Sequence, residues 1–193
     1  MSAAITVKVG GSLFDLPDLR TRLRAWLDRL STRQILLVPG GGAAAKVVRE
    51  LDRRHGLGEE ASHWLALRAM SLNAWFLTAL VPNSVVVADP RTCPALWVHG
   101  QTPILDALAF AHVDEGTEGA LPHSWAVTSD SVAARAAIVL GGRQLILLKS
   151  VTIPEEPDWG AAGRQGWVDA YLSQILAKSR NLQVRAVNFR LES

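Results

Sequence analysis

Three short segments place small residues and a few polar groups directly after runs of β-type residues: Val7-Lys8-Val9-Gly10-Gly11-Ser12, Val38-Pro39-Gly40-Gly41-Gly42 and Val127-Thr128-Ser129-Asp130-Ser131. Glycine lets backbone N–H groups approach phosphate oxygens closely, and the start of a following helix adds partial positive charge, so each segment suits an anion. One such loop alone is weak. Three in one chain, with Lys8 entering the first and Asp130 in the third, supply the parts that phosphoryl transfer requires: anion cradles, a cation and a group that organises charge. Lys149, which closes the run Leu145-Ile146-Leu147-Leu148, adds a second cation. Two cations flanking a transferring phosphoryl group would stabilise the charge on its equatorial oxygens.

Each feature also has a plainer reading. Gly10-Gly11-Ser12 is equally a tight strand exit. Lys8, however, lies on a strand otherwise built for burial, where an ammonium is tolerated only if its tip reaches the sheet edge or a partner anion; a nucleotide phosphate would be that anion. Three consecutive glycines cost roughly a kcal/mol each relative to alanine, more than a simple turn requires. Asp130 reads either as an ordinary first-turn acid of a helix or as the group that orients the lysines and, with Mg²⁺, balances phosphate charge. Neither the Walker A pattern nor a correctly placed Gly-x-Gly-x-x-Gly occurs. His63 precedes Trp64, whose helical spacing to Leu67 reads as core. His123 sits beside Trp125 just ahead of Asp130, a setting that suits a small ring-bearing or phosphorylated acceptor as well as a structural loop. The five histidines and Cys93 show no spacing for a metal site.

These residues need a scaffold that gathers them, and the chain alternates strand and helix patterns. Strands are expected at 4–9, 35–38, 84–88, 96–99, 144–148 and 183–187. Helices are expected from Pro17 through the stripe Leu19, Leu23, Trp26, Leu27 and Leu30, over 43–54 with Ala44, Val47, Val48 and Leu51 inward, and over 59–80, 104–110, 132–140 and 167–178. Continuous apolar strands alternating with helices imply a mostly parallel sheet covered on both faces, and ligands on such sheets bind beyond the carboxyl ends of the strands. All three loops would then meet on one edge.

The chain has 193 residues, 49% of them hydrophobic, with no composition break to mark a linker, so one domain over 1–193 is expected. A net charge of +2 with scattered cations argues little for nucleic acid. Lysine is rare, four residues against 16 arginines, and Lys8, Lys46 and Lys149 all fall in or beside loops after strand-like runs. A single cysteine suits a reducing compartment. No apolar stretch reaches the roughly 18 residues of a membrane span, and the N-terminal residues lack signal-peptide character. A cytoplasmic protein acting on a small molecule, with no nucleic-acid or membrane partner, is therefore expected. The long 59–80 helix offers more apolar face than one core needs, which favours a homodimer or higher homo-oligomer.

As a set, Lys8-Val9-Gly10-Gly11-Ser12, Pro39-Gly40-Gly41-Gly42, Thr128-Ser129-Asp130-Ser131-Val132-Ala133-Ala134 and Ile146-Leu147-Leu148-Lys149 resemble the amino acid kinase family, the group of uridylate, glutamate and acetylglutamate kinases. The resemblance implies an α/β fold, a three-layer αβα sandwich with a mostly parallel central sheet, using ATP and Mg²⁺. It implies Lys8, Asp130 and Lys149 as catalytic residues and Gly10, Gly11, Ser12, Thr128, Ser129 and Ser131 around the nucleotide. The acceptor would lie near Gly40, Gly41 and Gly42, with His63 and His123 on its side. Ser62-His63-Trp64-Leu65-Ala66 and His123-Ser124-Trp125 look most like the small kinases of methanofuran and tetrahydromethanopterin pathways, which convert an aminomethylfuran methyl phosphate to its diphosphate. One departure stands out. Where many members carry Val-Asp-Gly to seat the nucleotide, this chain has Val151-Thr152-Ile153, which implies a reduced base pocket or a changed nucleotide preference. A non-catalytic nucleotide- or anion-binding protein, and more distantly an oligomeric scaffold or metal-oxyanion store, are the readings from other classes.

Overall fold

In the computed structural model, which describes residues 4–179 and 181–192, every strand runs parallel in one six-stranded sheet. The strands are β1 (Ile5–Val9), β2 (Ile35–Pro39), β3 (Ser84–Val87), β4 (Thr102–Leu105), β5 (Gln144–Lys149) and β6 (Gln183–Asn188), in the order β3-β4-β2-β1-β5-β6. The helices are α1 (Leu19–Asp28), α2 (Gly42–His55), α3 (Glu59–Leu80), α4 (Cys93–Val98), α5 (Ala107–Asp114), α6 (Ser129–Leu140), α7 (Trp159–Arg164) and α8 (Leu172–Lys178). The chain leaves β1 toward β2 and crosses to the other side of β1 only at β5. This reversal of direction opens a crevice at the carboxyl ends of the central strands.

The period of two along each strand sorts the core into two layers. Ile5, Val7, Val9, Leu37, Ile146 and Leu148 pack with Leu23, Trp26 and Leu27 of α1 and Ala74 and Leu77 of α3. Leu36, Val38, Leu145 and Leu147 face the other way, against α5, α6 and α8. The expected three-layer sandwich is thus what forms. Ala133, Ala134, Ala136 and Ala137 are fully buried, and their small side chains let α6 lie close over the sheet.

Five local expectations are corrected. Residues 96–99 belong to α4 and its cap instead of a strand, because Pro90 and Pro94 set up consecutive first turns of short helices. Residues 104–110 divide into the end of β4 and the start of α5, with Asp106 between them accepting from the Ala109 N–H as N-cap. The 167–178 helix covers only Leu172–Lys178, since 167–171 is a turn used by the site. Pro17 lies before α1, whose N-cap is Asp18, and on α2 Val47 and Leu51 are exposed while only Val48 is buried.

Candidate active site

Alternation along the strands decides where the two lysines go. Lys8 has the parity of Thr6, opposite to Val7 and Val9, so it leaves the sheet on the α6 face; Lys149 has the parity of Leu145 and Leu147 and leaves on the same face. Asp130, in the first turn of α6, lies above both. Its Oδ1 is 2.8 Å from Lys8 Nζ, and its Oδ2 accepts from Lys149 Nζ at 2.9 Å. All three are buried or nearly so, with side-chain exposures of 5%, 13% and 4% for Lys8, Lys149 and Asp130. Burial alone would raise the Asp130 carboxyl, but the charges of Lys8 and Lys149 outweigh it and bring it down to about 2. Burial, reinforced by the positive charge of Lys8, brings Lys149 down to about 8 despite Asp130.

The glycine loops meet main chain to main chain. Gly10 N–H donates to Leu148 O and Gly40 N–H to Val9 O, so each loop extends the strand ladder by one bond. A Cβ on Gly11 would stand 2.1 Å from Gly42 N, and one on Gly40 would stand 2.4 Å from Gly11 N. Gly42 has φ +54°. Asn73 of α3 donates to Gly40 O at 2.7 Å and to Gly41 O at 2.9 Å. Across a trans peptide the N–H points opposite to the carbonyl, so this clamp turns the Gly41 and Gly42 N–H groups away from α3. Gly11→Ala is expected to force the loops apart and lower stability by about 1–3 kcal/mol, seen as a reduced thermal midpoint.

Around these groups opens a cleft of about 840 Å³, lined by Lys8, Gly10, Gly11, Ser12, Gly41, Gly42, Thr128, Ser129, Asp130 and Lys149. Its rim holds Lys46, Arg49 and Trp125 on one side and the 166–170 segment on another. Arg49 lies 4.5 Å over the Trp125 ring, whose Nε1–H donates to Asp52 at 2.8 Å. Arg190 pairs with Asp15 at 2.6 Å at the mouth. The Ser12 and Ser150 hydroxyls are 2.9 Å apart.

Not every expected residue reaches the cleft. Ser131 is fully buried and its hydroxyl donates to Asp169. Gly40 lies behind Gly11. His63 and His123 stack at 5.0 Å, and His123 Nδ1 is 2.8 Å from Glu60 Oε2. His63 lines two small side pockets, one of which it shares with Trp125, while the aromatics that line the main cleft are Phe14, Trp125 and Trp167. Burial and the neighbouring His123 hold His63 below the usual imidazole range. Residues that the sequence reading did not single out are Asn73, Arg49 and Asp169. A polar residue in the middle of an otherwise apolar helix was the available signal for Asn73. Cys93 is buried, and burial pushes its thiol up to about 12, which leaves it unreactive.

A parallel sheet whose strand order reverses at β1, with paired lysines, a shared aspartate and touching glycine loops at its carboxyl edge, defines an α/β protein with a cleft built for anions. The sequence model of the amino acid kinase family matches residues 4–152, and the chain belongs to that family. It is 29% identical over 146 residues to the [5-(aminomethyl)furan-3-yl]methyl phosphate kinase of Methanocaldococcus jannaschii, a match spanning 75% of this chain and 65% of that relative. Among solved structures the fold is similar to uridylate kinase from Archaeoglobus fulgidus (TM-score 0.68, 16% identity, 95% of this chain and 90% of the other). It is also similar to the UMP kinases of Bacillus anthracis (0.71, 15%, 97% and 88%) and Ureaplasma parvum (0.71, 15%, 99% and 92%).

Proposed function

We propose that residues 1–193 work as one kinase domain that moves the γ-phosphoryl group of Mg-ATP onto a small acceptor carrying its own anionic oxygen, with [5-(aminomethyl)furan-3-yl]methyl phosphate as the first substrate to test. The observation that carries this reading is the Lys8–Asp130–Lys149 cluster at the junction of the glycine loops. Two ammonium groups and the loop N–H groups form a donor set suited to a polyphosphate, and Mg²⁺ enters as the counter-ion of ATP.

The carboxylates of the cleft are already engaged: Asp15 by Arg190, Asp130 by the two lysines and Asp169 by the start of α6. None is placed to accept a proton from a neutral hydroxyl. A phosphate or carboxylate acceptor needs no such base, because its oxygen is ionised at neutral pH. That oxygen forms the new bond to the γ-phosphorus as the bond to the β,γ-bridging oxygen breaks, and ADP takes the electron pair. Lys46 and Arg49 supply positive charge at the acceptor side, and Trp125 supplies a flat face for a ring. The name of the Methanocaldococcus relative supports a furan bearing a phosphate.

The test is ADP release from Mg-ATP with the furan phosphate and a panel of nucleoside monophosphates and amino acids, with products identified by mass. Turnover of the furan to its diphosphate supports the whole reading; turnover of another acceptor keeps the kinase and replaces the substrate. Tight binding of Mg-ATP without consumption favours a non-catalytic nucleotide-binding protein instead. That second reading draws on the 151–153 segment, where Ile153 is buried in the core and Thr152 accepts from Asn188.

Because Lys149 loses its proton near pH 8 in the free protein, kcat/KM for Mg-ATP is expected to fall as pH rises through about 8. Stability moves the other way. Between about 8 and the ordinary lysine value the unfolded chain binds more protons than the folded one, so the fold gains stability with pH there. Activity loss without unfolding is therefore the expected alkaline behaviour.

Leu72 and Trp75 are each 63% exposed on one side of α3, beside Phe76, whose ring meets Phe14 at the cleft. This apolar stripe supports a homodimer through α3. Light scattering is expected to give twice the 20.9 kDa chain mass, and Trp75→Glu to give the monomer. A wild-type monomer at micromolar concentration would rule the dimer out.

A further inference from the structure

Asp169 lies beyond the residues matched by the family and on the wall of the cleft, in the turn just before α8. It is 9% exposed, and both carboxylate oxygens are committed. Oδ2 accepts from the N–H and the hydroxyl of Thr128, each at 3.0 Å, and from the Ser131 N–H at 2.9 Å. Oδ1 accepts from the Ser131 hydroxyl at 2.5 Å and from the Leu172 N–H at 3.1 Å. The main-chain N–H of Asp169 donates to Asp130 Oδ2 at 3.2 Å.

An acid that merely started α8 would need only the Leu172 contact. Here one residue holds the first turn of α6 by its side chain and the Asp130 carboxylate by its main chain. The floor of the cleft then contains two ammonium groups and two carboxylates in one connected cluster. Burial and the charge of Asp130 push the Asp169 carboxyl above its usual range, against the pull of its Ser131 and Thr128 donors.

We propose, resting on the kinase reading above, that Asp169 is a positioning residue for phosphoryl transfer, fixing Asp130 so that Lys8 and Lys149 stay aimed at the transferring group. The arrangement joins the 166–170 wall to the lysine pair, so displacement of that wall would disturb the charge cluster directly. Lys149 is faced by Lys8 from β1, Asp130 from α6 and Asp169 from the turn before α8. Its β6 neighbour Asn188 is uncharged, while Arg190, Asp15, Lys46 and Arg49 stand farther out on the rim.

The chain has only four lysines, so protein labelled with ¹³C at lysine Cε gives four sets of titrating signals, assigned with Lys46→Arg and Lys178→Arg and then with Lys149→Arg. The test compares wild type with Asp169→Asn, whose amide NH₂, on whichever side it lies, meets a main-chain N–H that can only donate. The Lys149 midpoint, near 8 in wild type, is expected to fall by roughly half a unit or more, because a nearby negative charge is lost. In parallel, kcat is expected to fall by about tenfold or more with KM for Mg-ATP changed by less than about threefold. Should Asp169→Asn fail to fold, Ser131→Ala removes one donor from Asp169 Oδ1 and is expected to lower kcat by about threefold or more with KM for Mg-ATP little changed, and an unchanged kcat in folded Ser131→Ala protein overturns the proposal. An unchanged midpoint and unchanged kcat, with only the thermal midpoint reduced, overturn the proposal and leave Asp169 a helix cap. A lowered midpoint in a protein that turns over no acceptor keeps the coupling and defeats the kinase reading instead.

Discussion

Lys8→Ala is expected to lower kcat by roughly 10²–10³-fold while leaving a folded protein. The size follows from where Lys8 stands. The Lys8 side chain is 5% exposed and its ammonium is held beside Asp130, where a preorganised cation is worth far more against developing charge than it would be in solvent. Its aliphatic stem fills a slot on the α6 face of β1, so alanine also leaves a small cavity. Lys149 and the Asp169 N–H still satisfy Asp130, so the carboxylate is not stranded and the fold survives. Steady-state ADP release combined with a thermal melt separates the two effects. Undiminished turnover by a folded Lys8→Ala protein would remove the lysine from the reaction.

Asp130→Ala carries the other large effect, and its first consequence is on stability. Without the aspartate two buried ammonium groups face each other with no shared counter-charge, and breaking a buried ion pair from one side costs about 3–5 kcal/mol. The Asp169 N–H and the Lys149 Nζ both lose an acceptor. The pH dependence gives a signature that simple loosening of the core does not. A carboxylate held down to about 2 contributes stability that is present above its unfolded value near 4 and is lost as pH falls through about 2. Wild type is expected to show this acid limb, and the variant to lack it. Chemical denaturation at pH 2, 3, 4 and 7 checks the point. Parallel curves for the two proteins would mean that Asp130 does not carry the cluster.

The elements that place these groups were largely legible from the pattern of residues. Long apolar strands followed by glycine named the β1 and β2 exits, and the 59–80 helix was bounded by Gly58 before it and Pro82 after it. Lys8, Lys149 and Asp130 stood out because charge on a buried strand or at a small-residue turn is expensive without a partner. What the pattern did not show depends on contacts between distant segments. The middle of the chain misled because short helices opened by Pro90 and Pro94 have too few residues to establish a period. Asp169 carries no local signal, since its five donors come from residues about forty positions earlier and three later. His123 drew notice by its neighbours, yet its partner is Glu60, which does not line the cleft that holds the lysines.

The contact between Gly11 and Gly40 has a consequence for how the site tolerates change. At the point where the two cradles touch, the separation is set by main chain alone, with no side chain to rotate, shorten or be exchanged for another. Saturation mutagenesis would therefore draw a sharp boundary across the cleft. At Gly11 and Gly40 even alanine should cost stability, whereas at Lys46, Arg49 and Trp125 many replacements should fold unimpaired and differ in what they accept. Substrate range can drift along the rim while the spacing of the reacting groups stays fixed.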